Sequence, residues 1–468
     1  MNKALVIGFL TFNLCAPTRL LWCEDVPPPT TSGTTNALEQ RLSQLERQVE
    51  SLQQRLQTTQ TQSPSKNPPA GGSFAGRSGF SLRSADGDFE IQFHGLIQTD
   101  GRFYTGSGAN PQSYSAAVNA SAQAPAVSGF LLRRVRPILS GKLYQSYYFL
   151  IQPDFGQNTV AIYDAYMDVR PWSFANLRIG KFKIPLGLER LQSDSSRAFT
   201  ERGLTENLMP SRDTGVEFYG TLWNSAMTYQ ASLTNGVADS THFPDSATNN
   251  AKEVTTRVFA QPFKNAGSRW LSGLGIGLAG SYTKLNSAIP VFATAEGQEQ
   301  FMSYRTGVAF NGERSHLVPQ ANYYMGPLAI YGEYAQTNQV AQAGTVQTRL
   351  TNTAWQAAAS WVLTGEDASY TGVTPTKVFD PHARTWGAWE MTARLHQLRV
   401  DPNTFPLFAD PDISTSLATA WTIGLNWYLN KFVLFTADYE QTWFKDGNGP
   451  GGRRPIERVI GSRAQLAF

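Results

Sequence analysis

The stretch FLLRRVRPILSGKL, residues 130–143, decides how this chain is read. It sets Arg133, Arg134, Arg136 and Lys142 inside a run of Leu, Val and Ile. Side chains on a strand alternate in direction. At that period Arg134, Arg136, Ser140 and Lys142 share a face with Phe130, Leu132 and Ile138. The other face carries Leu131, Val135, Pro137, Leu139 and Leu143, with Arg133 as its exception. One face is apolar and the other cationic.

The split recurs downstream. In IYDAYMDVRP, residues 162–171, Asp164, Asp168 and Arg170 oppose Tyr163, Ala165, Met167 and Val169. In AWEMTARLH, Glu390, Thr392, Arg394 and His396 oppose Trp389, Met391, Ala393 and Leu395. In AWTIGLNWYLN, Thr422, Gly424, Asn426 and Asn430 oppose Trp421, Ile423, Leu425, Trp427 and Leu429. A soluble sandwich also alternates, packing its apolar face against a second sheet. Three features favour lipid instead. Trp and Tyr crowd the strand ends, as interfacial girdles do. The region from 89 onward is one run of short alternating segments broken by Gly, Asn, Asp and Pro, with no helical layer. The chain ends RVIGSRAQLAF, with Ile460, Ala464, Leu466 and Phe468 on one face and Arg463 and Gln465 on the other. A terminal Phe on an alternating strand resembles the assembly signal of bacterial outer-membrane barrels. The predicted fold is all-β, a transmembrane antiparallel β-barrel over residues 89–468. At roughly 22–25 residues per strand and turn, that span predicts about 16 strands, and the diameter leaves an aqueous channel.

Composition supports this. Of 468 residues 16% are charged and 12% aromatic, and the net charge is +3, which argues against a nucleic-acid partner bound through bulk charge. The mean hydropathy of −0.30 is compatible with strands that are half polar. The two cysteines, Cys15 and Cys23, both fall in MNKALVIGFLTFNLCAPTRLLWCED, which has a basic start, an apolar run and an acidic end. Residues 1–23 are expected to be a secretory signal peptide. Residues 24–36 read as a Pro/Thr spacer. In ALEQRLSQLERQVESLQQRLQ, residues 37–57, Leu42, Val49 and Leu56 take heptad position a and Leu38, Leu45 and Leu52 position d. Arg41 at g and Glu46 at e suit an interhelical bridge. A short N-terminal coiled-coil helix in the periplasm is expected, then a linker over 58–88.

Motifs for catalysis are weak. Gly275, Gly277 and Gly280 in GLGIGLAG have the GxGxxG spacing but sit in an alternating strand pattern, without the helix a dinucleotide site needs. The five histidines, at 94, 242, 316, 382 and 396, show no metal-ligand spacing. Asp401, Asp410 and Asp412 fall in DPNTFPLFADPD, read as an exposed loop without the usual calcium pattern. There is no GxSxG and no HExxH. No enzyme activity, no metal and no cofactor are expected.

Several segments then resemble, in order, the phosphate-selective porin O/P family of outer-membrane channels. FLLRRVRPILSGKLYQSYYFLIQPDFG resembles its double-arginine strand pair, and LRIGKFKIPLGLE its segment of spaced Gly, Pro and Glu. FTERGLTENLMPSRDTGVEFYG resembles its Glu-Arg and Arg-Asp-x-Gly-Val stretch. WVLTGE, TWGAWEMTARL and IGLNWYLN follow as in the family's C-terminal half. The resemblance covers some four fifths of the chain. It implies a 16-stranded barrel assembled as a homotrimer in outer-membrane lipid, with a loop folded inward within residues 187–215. It also implies basic side chains that guide small anions such as phosphate. The matching positions are Arg133, Arg134 and Arg202. Strand parity adds Arg136, Lys142, Arg170, Arg394 and Arg463, and Arg197 is read as a substitute for the lysines that phosphate-specific members resemble one another in placing on this loop. The candidate pore-lining and anion-binding set is therefore Arg133, Arg134, Arg136, Lys142, Arg197 and Arg202. One departure stands out: the loop has no lysine, and its Arg190, Arg197, Arg202 and Arg212 are outnumbered by Glu189, Asp194, Glu201, Glu206 and Asp213. A general porin or one selective for cations or organic solutes, a non-conducting outer-membrane anchor and a barrel enzyme are the rival readings.

Overall fold

The computed structural model of the chain describes residues 72–76, 79–105, 127–240, 250–268, 270–287, 290–447 and 452–468. The expected signal peptide, spacer and coiled coil lie outside the described residues. Within the stretch read as linker, β1 (Gly72–Gly76) and β2 (Gly79–Arg83) form a hairpin.

The barrel wall opens with β3 (Phe89–Tyr104), β4 (Gly129–Leu143), β5 (Tyr147–Asp154), β6 (Ala161–Val169), β7 (Asn176–Lys183) and β8 (Arg212–Leu222). It continues through β9 (Met227–Thr234), β10 (Glu253–Ala260) and β11 (Leu274–Ser287). After a small hairpin, β12 (Phe292–Ala293) with β13 (Gln300–Met302), come β14 (Val308–Met325), β15 (Leu328–Ala343) and β16 (Val346–Val362). The last four are β17 (Ala388–Arg399), β18 (Leu417–Tyr428), β19 (Val433–Lys445) and β20 (Glu457–Ala467). Each wall strand pairs antiparallel with its neighbours, and β20 pairs with β3, so 16 strands close on themselves without an edge. Closure satisfies every ladder without water, which is what a wall in lipid requires. At the seam β2 takes over where β20 stops, with Phe80 opposite Phe93 and Leu466 opposite Ile97.

The distribution of side chains is inverted relative to a soluble protein. Ile151, Met167, Ile179, Met391, Leu395 and Ile423 are exposed on the outside. Arg134, Arg136, Asp168, Glu217, Arg394 and Asp438 are buried inside. Exposed Trp172, Trp223, Trp270 and Trp386 lie in turns of the rim that carries the C-terminus, as a girdle at a membrane interface does. Phe468 rests over Gly95, exchanging both backbone hydrogen bonds with it at 3.0 Å, with Phe80 and Phe93 at 6.0 and 6.1 Å.

Two β-bulges correct the parity expected from the sequence. Along β3–β4, Gln98 pairs with Arg134 and Thr99 with Leu132, so Arg133 is an extra residue. Phe130 and Leu132 therefore do not share a face with Arg134 and Arg136; they point out, 78% and 55% exposed. The bulge also resolves the misfit of Arg133, which turns inward beside Arg134. Along β5–β6, Gln152 pairs with Asp164 and Pro153 with Ile162, leaving Tyr163 as the extra residue. Tyr163 thus faces the lumen rather than opposing Asp164. A bulge of one residue shifts phase and re-aims a side chain. The two extra residues, Arg133 and Tyr163, line one cavity.

The stretch 401–412 is also less exposed than its composition suggests. Phe408 and Ala409 are buried, and Phe408 packs in a cluster with Phe310, Ala341 and Leu350.

Candidate functional site

Between β7 and β8 the chain leaves the wall and crosses the lumen, with a short helical turn at Leu188–Leu191 and a 3₁₀ turn at Leu204–Leu208. This matches the inward loop expected within 187–215. Backbone groups inside a barrel need partners. Here much of the supply comes from carboxylates and amides on β15–β19. Leu188 N–H donates to Glu333 at 2.6 Å and Thr200 N–H to Asp438 at 2.7 Å. Leu204 N–H donates to His396 Nδ1 at 3.1 Å, and Asn426 donates to the Ala198 carbonyl at 2.9 Å. Thr200 Oγ1 also donates to Asp438 and to Glu296. An apolar cluster adds to these ties, with Ile184, Leu186, Leu204, Leu208 and Met209 against Val318, Ala335, Ala354 and Leu398. A second inward piece, the β12–β13 hairpin, is clipped to the loop by reciprocal 2.9 Å bonds between Asn207 and the Ala293 backbone. From the C-terminal rim, the connection 363–387 sends Tyr370 up to the loop. Its hydroxyl donates to the Leu188 carbonyl at 2.6 Å, and its own carbonyl accepts from Gln192 at 2.8 Å.

The loop is thus fastened to the β15–β19 side, and on the side where the arginines stand it is also held by Gln98, Arg136 and Gln465. Two cavities flank it there. One, of about 250 Å³, includes Arg133, Arg134, Arg202, Tyr163 and Glu201 in its lining. The other, of about 540 Å³ toward the C-terminal rim, includes His94, Lys183, Asp164, Lys431 and Phe468. Arg136, Asp194 and Arg212 line both. They mark the passage from one cavity to the other. Arg136 and Arg212 both stack on the Tyr163 ring, at 4.0 and 4.6 Å from its centroid.

Acids orient these cations. Arg136 is held by Asp154 at 2.7 Å and by Asp194; Arg202 reaches Asp194 at 2.8 Å. Arg212 pairs with Asp164 at 3.1 Å, and Arg133 grips Glu201 through two bonds of 2.5 and 3.2 Å. Burial alone would raise the Asp194 carboxyl. The charges of Arg134, Arg202, Arg136 and Arg197 overcome that and hold it well below its ordinary 3.8. Glu201 is likewise held down against burial by Arg133, Arg134 and Arg197. Glu296, behind the loop, moves the other way: burial and then the neighbouring Asp438 and Glu440 push it well above the usual range.

Of the residues singled out from sequence, Arg133, Arg134, Arg136 and Arg202 come together around the smaller cavity. Arg197 is 3% exposed, ion-paired to Asp194 and Glu201, and lines neither cavity. Lys142 pairs across strands with Glu90 near the C-terminal rim, away from the passage. Arg394 is enclosed between Glu189, Glu296 and Glu440, and Arg463 is locked to Asp100 at 2.7 and 2.6 Å. Arg170 pairs with Asp168 at the rim. Sequence reading missed Arg212, Tyr163 and Lys183 as lining residues. Lys183 ends β7 and donates to the Gln192 carbonyl at 2.8 Å, so a lysine does sit at the root of the loop. Its position just before IPLGLE, residues 184–189, was the available signal. Among the described residues no group of His, Cys, Asp and Glu is placed to hold a metal ion.

A closed 16-strand barrel, apolar outside, charged inside and narrowed by an inward loop, is the architecture of an outer-membrane porin. The chain belongs to the phosphate-selective porin O and P family, whose model matches residues 107–465. As a member of that family it is a channel protein of the outer membrane and not an enzyme. Porin O of Pseudomonas aeruginosa is 23% identical over 404 residues, covering 78% of this chain and 85% of that protein. Among solved structures, the outer-membrane channel DcaP of Acinetobacter baumannii superposes with a TM-score of 0.51 at 9% identity, over 84% of this chain and 99% of its own. OmpT of Vibrio cholerae gives 0.50 at 11% identity, over 81% and 98%. These structures share the fold.

Proposed function

We propose that the protein is a passive channel for small anions, inorganic phosphate among them. The observation that carries this is the lining of the two cavities described above. Acids on one wall are covered by the loop backbone that they satisfy, and arginines line both cavities. The smaller cavity is lined by five arginines against four carboxylates. The larger has four basic side chains against two acidic ones. An arginine fork has five N–H donors, and pairing with one carboxylate uses only part of them. The remainder can exchange hydrogen bonds with a phosphate or chloride moving past, and exchange between adjacent sites keeps binding weak enough for release.

The chain acts as a homotrimer in this reading. β5, β6 and β7 have only 8, 9 and 8 residues, against 18 in β14. At ~3.4 Å per residue and a tilt of ~40°, eight residues rise only about 20 Å, less than the ~25 Å apolar band of a barrel facing lipid alone. A low wall of this kind suits a neighbouring barrel. The heptads of 37–57 would add a periplasmic coiled coil to the assembly.

A cation-preferring porin is the competing reading, favoured by Asp194, Glu201 and Glu206 in the smaller cavity. The zero-current potential of the purified protein in a planar bilayer under a potassium chloride gradient separates the two. Chloride preference is expected, with phosphate reducing the chloride current. A potassium sign would overturn the anion reading while leaving the porin intact. Absence of conductance would place a plugged barrel first.

A further inference from the structure

Buried cations in this barrel come with acids. Arg134, Arg136, Arg212, Arg314, Arg394 and Arg463 each lie within 4.0 Å of a carboxylate. Arg257 on β10 is the exception among the described buried arginines. It is 8% exposed, and its Nε and Nη1 donate to the amide oxygens of Gln320 and Gln230 at 3.1 and 3.2 Å. Both partners are neutral. Nη2 makes no hydrogen bond among the described residues. The nearest acids, Glu217 and Glu333, act on Arg257 without touching it, and Gln230 stands between Arg257 and Glu217. An enclosed cation that touches only neutral amides is costly.

Arg257 lines a third cavity, of about 540 Å³, within the usual size range of small-molecule sites. Its walls differ from those of the passage. Phe259 lies under the guanidinium, 4.9 Å from ring centroid to Cζ. Leu188 and Leu191 of the loop, Tyr324 and Tyr370 share the lining with the neutral polar side chains of Gln230, Gln261, Asn322 and Ser369, and no carboxylate lines it. The glycine-spaced stretch on β11 makes room for this arrangement. A Cβ on Gly275 or Gly277 would stand 2.6 or 2.5 Å from the Phe259 ring. The glycines therefore seat the aromatic floor beneath the cation.

We propose that this cavity is a second binding site, for small organic carboxylates with an aromatic or apolar body. The carboxylate would take the free edge of Arg257, and the body would lie against Phe259 and the leucines. A single cation beside Phe259, two tyrosines and two leucines, with only neutral polar side chains otherwise, suits such a monoanion better than inorganic phosphate, which carries more charge than one arginine balances. The site shares only Leu191 with the lining of the larger passage cavity and is independent of the sign of the constriction's selectivity.

The test is isothermal titration of the full detergent-purified chain with sodium benzoate and, separately, sodium phosphate. Wild type should bind benzoate saturably. Arg257→Gln should weaken it at least tenfold, and Phe259→Ala, which keeps the cation, several-fold. Arg136→Gln should leave benzoate binding unchanged. Equal benzoate binding by wild type and Arg257→Gln, or no saturable binding by wild type, would overturn the proposal. Joint loss of phosphate and benzoate binding in Arg257→Gln would overturn the substrate class and make the cavity part of the general anion path. If Arg257→Gln does not fold, the Phe259→Ala titration decides, since unchanged benzoate affinity there removes the aromatic floor from the site. The bilayer selectivity plays no part in these readouts, so a failure of the anion-channel reading remains separate.

Discussion

Arg136 and Arg212 lean on one ring, that of Tyr163, and both line the two cavities on either side of the constriction loop. They come from strands far apart in sequence, and the ring between them is aimed inward by a bulge. Two cations so placed repel unless acids offset them, and Asp154 and Asp164, each in the lining of one of the two cavities, do that. In the proposed anion path the result is a basic gate with fixed geometry.

Neutralising that gate should change selectivity without unfolding the barrel. Arg136→Gln or Arg212→Gln is expected to lower the chloride-to-potassium permeability ratio a few-fold, and the double variant further. The reversal potential in a potassium chloride gradient reads this directly. An unchanged ratio in the double variant would put the conducting path elsewhere.

Asp194 has the opposite role, because Arg134, Arg136, Arg197 and Arg202 all pair with it. Asp194→Asn leaves four buried cations facing each other. Breaking a buried ion pair from one side costs about 3–5 kcal/mol. The variant is expected to lose heat resistance of the folded band on gels and to show noisier single-channel current. Wild-type melting would exclude Asp194 as the keystone of the loop.

The pH dependence follows from the same residue. Its folded-state pKa is depressed well below 3.8, so its contribution to stability is complete above the unfolded value. The contribution is lost only as pH falls through the depressed folded value. The difference in thermal stability between wild type and Asp194→Asn is expected to stay constant from about pH 8 to 5 and to shrink only below about pH 4. A transition centred between pH 5 and 6 would point to another group.

Thr200 tests the fastening of the loop to its wall. Thr200→Val keeps the N–H bond to Asp438 but removes the hydroxyl shared with Asp438 and Glu296. Leaving such partners unsatisfied costs about 1–3 kcal/mol. Larger current fluctuations at unchanged mean selectivity are expected in single-channel records.

At the seam, Phe468→Ala removes the ring that meets Phe80 and Phe93 over Gly95. Aromatic pairs contribute about 0.5–1.5 kcal/mol beyond burial. A lower yield of folded, heat-modifiable barrel is expected from refolding into lipid vesicles.

Period-two alternation determined the outward apolar face, because side-chain direction on a strand is a local property; the aromatic strand ends and the terminal Phe468 decided for lipid over a soluble sandwich, and the length of the alternating region set the strand count. The same reasoning put Arg134, Arg136, Arg394 and Arg463 inside, where they are. It failed at Arg133 and Tyr163, since an inserted residue shifts the phase and only the partner strand reveals it. Tertiary structure also decided which inward charges matter. Arg394 and Arg463 face the lumen yet are enclosed by acids, whereas Arg212 and Lys183, at strand ends beside the loop, reach the passage. That outcome depends on which wall satisfies the backbone of a loop some 28 residues long, and hydrogen bonds between segments over a hundred residues apart leave no local pattern to read.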